Sequence, residues 1–138
     1  MSDRQILMAD DDADDRFLLK AAFEDSEVPN PILFFEDGER LLDYLAKIQP
    51  ENHPLLIFLD LNMPKRDGRE VLLALRTNKD WNTIPIIIFS TSNAPDDIRS
   101  AYQLGANCYI IKPSSYEGLK EVVTNVQRFW LRTAALPN

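Results

Sequence analysis

Leu55-Leu56-Ile57-Phe58-Leu59-Asp60 runs five apolar residues directly into a carboxylate. The run lacks the alternation of a strand with one wet face, and it reads as a strand buried on both sides. Four similar runs accompany it: Ile6–Ala9 and Ile32–Phe35 before it, 86–89 and Cys108–Ile111 after it. Each is followed by a segment of helical spacing. Phe17, Leu18, Ala21 and Ala22 form the first stripe; Leu41, Leu42, Leu45 and Ile48 the second; Val71, Leu72 and Leu75 the third. Ile98, Ala101 and Tyr102 make a shorter fourth, and Leu119, Val122, Val123, Val126 and Trp130 the longest. Asp12, Gly38 and Pro95 stand where helices are expected to start. Five strand–helix units predict an α/β fold, a (βα)5 doubly wound parallel sheet with strand order 2-1-3-4-5.

At 138 residues the chain has room for one domain of ordinary size, with the fifth helix and a short extension at about 115–138. A hydrophobic fraction of 45% with 27% charged residues supports a buried core. The formal charge of -7 repels a phosphate backbone, so nucleic acid is not an expected partner. Residues 55–59 are the longest strictly aliphatic or aromatic stretch, far below the roughly 20 residues of a membrane span. Cys108 is the single cysteine, which excludes an intrachain disulfide and fits a reducing, cytoplasmic setting.

In a doubly wound sheet, ligands bind beyond the carboxyl ends of the strands. Here those ends deliver Asp10, Asp11 and Asp12 after the first run, Asp60 after the third, Ser90 after the fourth and Lys112 after the fifth. Asp12 reads as a helix cap. Asp10, Asp11 and Asp60 would repel one another without a cation, and an all-oxygen donor set suits Mg2+. Three carboxylates against Mg2+ and Lys112 make a neutral site. A phosphoryl group on Asp60 would then need donors, and Lys112 and the Ser90 hydroxyl are at hand.

At these residues the sequence resembles the response-regulator receiver domain of two-component signalling, a flavodoxin-like fold. The resemblance covers nearly the whole chain: Asp10-Asp11, Asp60 closing its apolar run, Met63-Pro64, Asp67-Gly68, Ser90, and Tyr109-Ile110-Ile111-Lys112-Pro113. The stretch 60–72 and the ending Phe129-Trp130-Leu131 are similar to the small stand-alone regulators that partner bacterial phytochrome kinases. The resemblance implies a switch that accepts a phosphoryl group on Asp60 from a sensor histidine kinase. Asp11 and Asp60 would ligate Mg2+ with the Asn62 carbonyl, and Asp10 would act partly through water. Ser90 and Lys112 would bind phosphoryl oxygens. Tyr109 would turn inward as Ser90 moves toward the phosphate. Asn62 and Ser92 would tune acyl-phosphate hydrolysis, and Lys112-Pro113 would be a cis peptide. Loops 24–31 and 49–54 are expected to carry kinase specificity.

Competing readings fare worse. A flavin site would need a Ser/Thr/Gly-rich phosphate cradle where this chain has Asp10-Asp11-Asp12-Ala13-Asp14-Asp15, and the four glycines form no GxGxxG. A Mg-dependent phosphohydrolase with an aspartyl nucleophile is the nearest enzyme alternative. Such enzymes typically place a carboxylate two residues after the nucleophile, and here that residue is Asn62. The reading is therefore a response regulator, not an enzyme beyond its own phosphorylation and slow dephosphorylation. His53, in Glu51-Asn52-His53-Pro54, reads as an exposed loop residue, and Cys108 as a packed thiol. The chain ends soon after the fifth helix, so the signal is expected to pass by protein contact, without an output domain. Trp130 falls on the core-facing stripe while Phe129 and Leu131 fall beside it, which suggests a weak homodimer through the last helix and its extension to Arg132.

Overall fold

All five apolar runs are parallel strands in the computed structural model, which describes residues 4–64 and 66–137. The expected domain bounds, 1 and 138, and Lys65 of the 60–72 stretch lie outside the described residues. The strands are β1 (Ile6–Ala9), β2 (Ile32–Phe35), β3 (Leu56–Leu59), β4 (Ile86–Ser90) and β5 (Cys108–Ile111), in the order β2-β1-β3-β4-β5. They alternate with α1 (Ala13–Asp25), α2 (Gly38–Lys47), α3 (Gly68–Thr77), α4 (Pro95–Gln103) and α5 (Tyr116–Arg128). A 3-10 turn, Pro50–Asn52, precedes β3, and a π-helical turn, Phe129–Thr133, extends α5.

Successive side chains of a strand point to opposite faces, so a central strand covered by helices must be apolar throughout. β1, β3 and β4 are fully buried, and their residues divide between two cores. Leu7, Ala9, Ile57, Leu59, Ile86 and Ile88 meet α2 and α3 on one face. Ile6, Met8, Leu56, Phe58, Ile87 and Phe89 meet α1 and α5 on the other. The ring of Phe58 lies edge-on to both Phe23 and Phe89, with centroids about 6 Å apart.

Two helix faces differ from the expected stripes. α1 buries Leu19, Ala22 and Phe23, while Phe17 is 71% exposed and Leu18 is exposed as well. Apolar residues cover more than one face of this helix, so spacing alone does not select the buried one. Packing does, since Leu19, Ala22 and Phe23 join the core formed with β1, β3 and α5, while the Asp12 side chain caps the helix by accepting from the Asp14 and Asp15 amides. On α4 only Ala101 is fully buried, and Tyr102 is exposed, its hydroxyl accepting from the Tyr109 amide. Gly38 is the first residue of α2, and the cap itself is Asp37. His53 is half-buried rather than exposed, because Arg4 reaches across to the carbonyls of His53 and Pro54.

Candidate phosphoacceptor site

The sheet ladder continues one residue past β1, β3 and β5 and carries the site with it. The Asp10 amide donates to the Phe35 carbonyl, the Asp60 amide to Ala9 and the Lys112 amide to Ser90, at 2.8–3.0 Å. Residues that are far apart in sequence are thereby held in register on one edge. Behind Asp60 the chain turns sharply into α3, and Gly68 donates its amide to the Leu61 carbonyl at 2.8 Å. A Cβ on Gly68 would lie 2.2 Å from the Asp60 carbonyl oxygen, so no side chain fits there. α3 opens with a capping box, Asp67 and Glu70 each accepting from the other's amide.

Asp10 and Asp60 are buried and Asp11 is exposed, and their carboxylate oxygens lie within 4.8 Å of one another. Three oxygen donors this close, one of them open to solvent, fit a hard divalent cation that keeps part of its water shell. The Asp10 carboxylate also accepts from the Asp12 amide at 2.9 Å, and the Arg16 guanidinium donates to the Asp10 carbonyl at 2.7 Å. Burial pushes the Asp10 carboxyl up to about 6, against the opposing pull of Lys112. Burial also raises Asp60, again opposed by Lys112.

The Lys112 ammonium donates to Asp10 at 2.8 Å, to Asp15 at 2.9 Å and to Asp60 at 3.2 Å. Burial disfavours its charge, but its hydrogen bonds to Asp10 and Asp15 outweigh that and push its pKa above the usual lysine range. Its side chain runs past the Phe89 ring. The expected cis peptide before Pro113 is absent, as no cis bond occurs among the described residues. The register of β5 against β4 already aims the long lysine at the carboxylates, so the trans chain suffices.

Ser90 is buried at the end of β4, and its hydroxyl oxygen accepts from the Ser92 amide at 3.2 Å. The Ser92 hydroxyl donates to Asp97 at 2.6 Å, and Arg69 holds the other oxygen of Asp97 at 2.8 Å. Those two bonds keep the Asp97 carboxyl below its ordinary range. The Tyr109 ring is half-buried against the α2–α3 core, and its hydroxyl donates to the Ser92 carbonyl. Asn62 is exposed, and its amide donates weakly to Asp60 at 3.4 Å.

Sequence reasoning thus found the carboxylates and the lysine, and missed Asp15, Arg16, Arg69 and Asp97. Asp15 was open to discovery. With Asp12 as cap it is the third helical residue, one turn in, on a helix that starts at the same sheet edge.

The sequence and the fold match known proteins. Response regulator Rcp1 of Synechocystis is 34% identical over 135 residues, covering 96% of this chain and 92% of its own. The structure of the phosphorylated cyanobacterial phytochrome response regulator RcpA superposes with a TM-score of 0.89 at 37% identity, covering 99% of both chains. The Mn(2+)-bound form of Rcp1 superposes with a TM-score of 0.86 at 35% identity, covering 98% of this chain and 99% of that one. Residues 6–124 match the response regulator receiver domain, and the chain belongs to that family of phosphorylation-dependent switches in two-component signalling.

Proposed function

We propose that Asp60 accepts the phosphoryl group from a histidine kinase and that the remaining strand-end residues serve this transfer. The observation that carries the reading is the convergence of three carboxylates and one lysine from three strands on one sheet edge. An Asp60 oxygen attacks phosphorus, the P–N bond of the phosphohistidine breaks, and an acyl phosphate forms. Asp11, Asp60 and the Asn62 carbonyl would hold Mg2+, with Asp10 acting partly through water. When bound, the ion supplies positive charge against the carboxylates and the incoming phosphoryl oxygens. Lys112 then donates to a phosphoryl oxygen, and so does Ser90 once its hydroxyl turns from its neighbours. Asn62 and Ser92 flank the acyl phosphate and set how readily water reaches it. Tyr109 reports the Ser90–Ser92 segment to the β5 side. The protein acts as a switch in the cytoplasm, with no catalysis beyond its own phosphorylation and dephosphorylation.

The phytochrome regulators among its relatives support a phytochrome-type kinase as the partner. A second copy of the chain is proposed to pack on the α5 extension. Phe129 is 53% exposed there, beside an apolar groove of about 480 Å³ lined by Ile110, Val122 and Trp130.

Incubation with Mg2+ and acetyl phosphate tests the acceptor. Wild type should gain one phosphoryl group by intact mass, and a folded Asp60→Asn should gain none. Labelling of Asp60→Asn at wild-type yield would assign the acceptor elsewhere.

A further inference from the structure

Lys112 offers three ammonium protons, and all three are engaged by carboxylates. Two of those partners, Asp10 and Asp60, belong to the close carboxylate set; Asp15 does not. Asp15 comes from α1 rather than from a strand end, and its side chain is 38% exposed while that of Lys112 is 9% exposed. Of the three bonds it is the one whose loss costs least, because water can replace the lysine at an exposed carboxylate but not at buried Asp10. It also adds a further negative charge on the ammonium that Asp60 shares.

Resting on the reading of Asp60 as acceptor, the geometry points to Asp15 as a positioning residue that competes with the phosphoryl group for Lys112. In the resting protein Asp15 holds one ammonium proton. On phosphorylation Lys112 keeps Asp10, releases Asp15 and donates that proton to a phosphoryl oxygen. The exchange frees the first turn of α1, the same helix that presents Phe17 and Leu18 to solvent. Phosphate occupancy is thereby transmitted to α1 by a lysine that changes partners, without any rearrangement of the sheet.

Lost competition and lost like-charge repulsion act in the same direction when Asp15 is removed. With Mg2+ present, Asp15→Ala should bind beryllofluoride, a phosphoryl mimic, about three- to tenfold more tightly than wild type, the scale of one ordinary hydrogen bond at a partly exposed group. Asp15→Glu, which keeps the charge and can still reach the lysine, should return affinity toward wild type. In a Lys112→Ala background, or Lys112→Gln if the alanine variant does not fold, Asp15→Ala should have no further effect. Unchanged or weaker binding by Asp15→Ala overturns the proposal while leaving Asp60 as acceptor. An equal gain without Lys112 overturns it too, because the effect would then be bare charge removal. Failure of wild type and Asp15→Ala alike to bind beryllofluoride overturns both this proposal and the Asp60 reading.

Discussion

The hydroxyl of Tyr109, on β5, donates to the backbone carbonyl of Ser92, beyond the end of β4, at 3.0 Å. The bond ties the loop after Ser90 to the neighbouring strand, and the same loop is held from α4 and α3 through Asp97 and Arg69. Tyr109→Phe keeps the ring packing and deletes only this bond, so it should cost about 1 kcal/mol in urea unfolding. Amide exchange at residues 91–94 should quicken at the same time. Unchanged exchange there would mean that Asp97 alone fixes the loop.

Lys112 and Ser90 should matter more for the response to phosphate than for metal binding. Lys112→Ala removes the cation that Asp10, Asp15 and Asp60 share, and Ser90→Ala removes a buried hydroxyl, while neither removes a proposed metal ligand. The fluorescence change of Trp81 and Trp130 on adding beryllofluoride should be lost in the first variant and reduced in the second. Mg2+ should still bind both, within about threefold of wild type, on the expectation that a lost cation and a lost hydroxyl each leave the oxygen ligands in place. A wild-type fluorescence response from Lys112→Ala would remove the lysine from the switch.

A dependence of stability on pH follows from Asp10. Its carboxyl is held at about 6 in the folded protein against 3.8 ordinarily, so between those values the folded state binds the extra proton. Stability therefore falls as pH rises from about 4 to 6, by an amount on the order of 1–3 kcal/mol, and the loss persists above pH 6. Asp60, raised in the same direction, adds to the slope. Without metal, urea midpoints of wild type and Asp10→Asn should diverge across this range, the variant becoming relatively more stable toward pH 7. Parallel curves would show that Asp10 titrates normally.

The proposed self-association can be read by light scattering over a concentration series. Wild type should shift toward dimer at high micromolar concentration, the scale expected when a few apolar side chains are buried against the cost of association. Phe129→Glu with Leu131→Glu should remain monomeric with an unaltered circular dichroism spectrum. A wild type that stays monomeric with and without beryllofluoride would leave Phe129 without a partner copy.

The sheet was legible because strands covered on both faces cannot hide their apolar runs: Ile6–Ala9 is found to the residue, and so is Cys108–Ile111, although this edge strand is only half-buried and Ile111 is exposed. Asp60 and Lys112 were legible for a related reason, since a charged residue directly after such a run must lie at the sheet edge. α1 was not, because Phe17, Leu18, Leu19, Ala22 and Phe23 spread over too much of the helix for spacing to choose a face. Asp15 was lost among neighbouring acids, although the Asp12 cap fixes its turn. The Arg69–Asp97–Ser92 chain joins residues from α3 and α4 that share no local pattern, so only the folded arrangement reveals it.

At the opposite edge of the sheet, Arg76 at the end of α3 donates to the carbonyls of Asn82, Ile84 and Gly105 and to the side chain of Asn107, which in turn accepts from the Ile86 amide. Arg4 and Asn30 add their own stitches along the same rim. Backbone carbonyls do not titrate, so these bonds do not depend on the protonation state of their acceptors. The rim at the carboxyl ends is laced largely through side chains: the hydroxyls of Ser92 and Tyr109, the carboxylates of Asp10, Asp15, Asp60 and Asp97, and the Lys112 ammonium. The molecule thus has one margin held on backbone acceptors and another held on ionisable side chains.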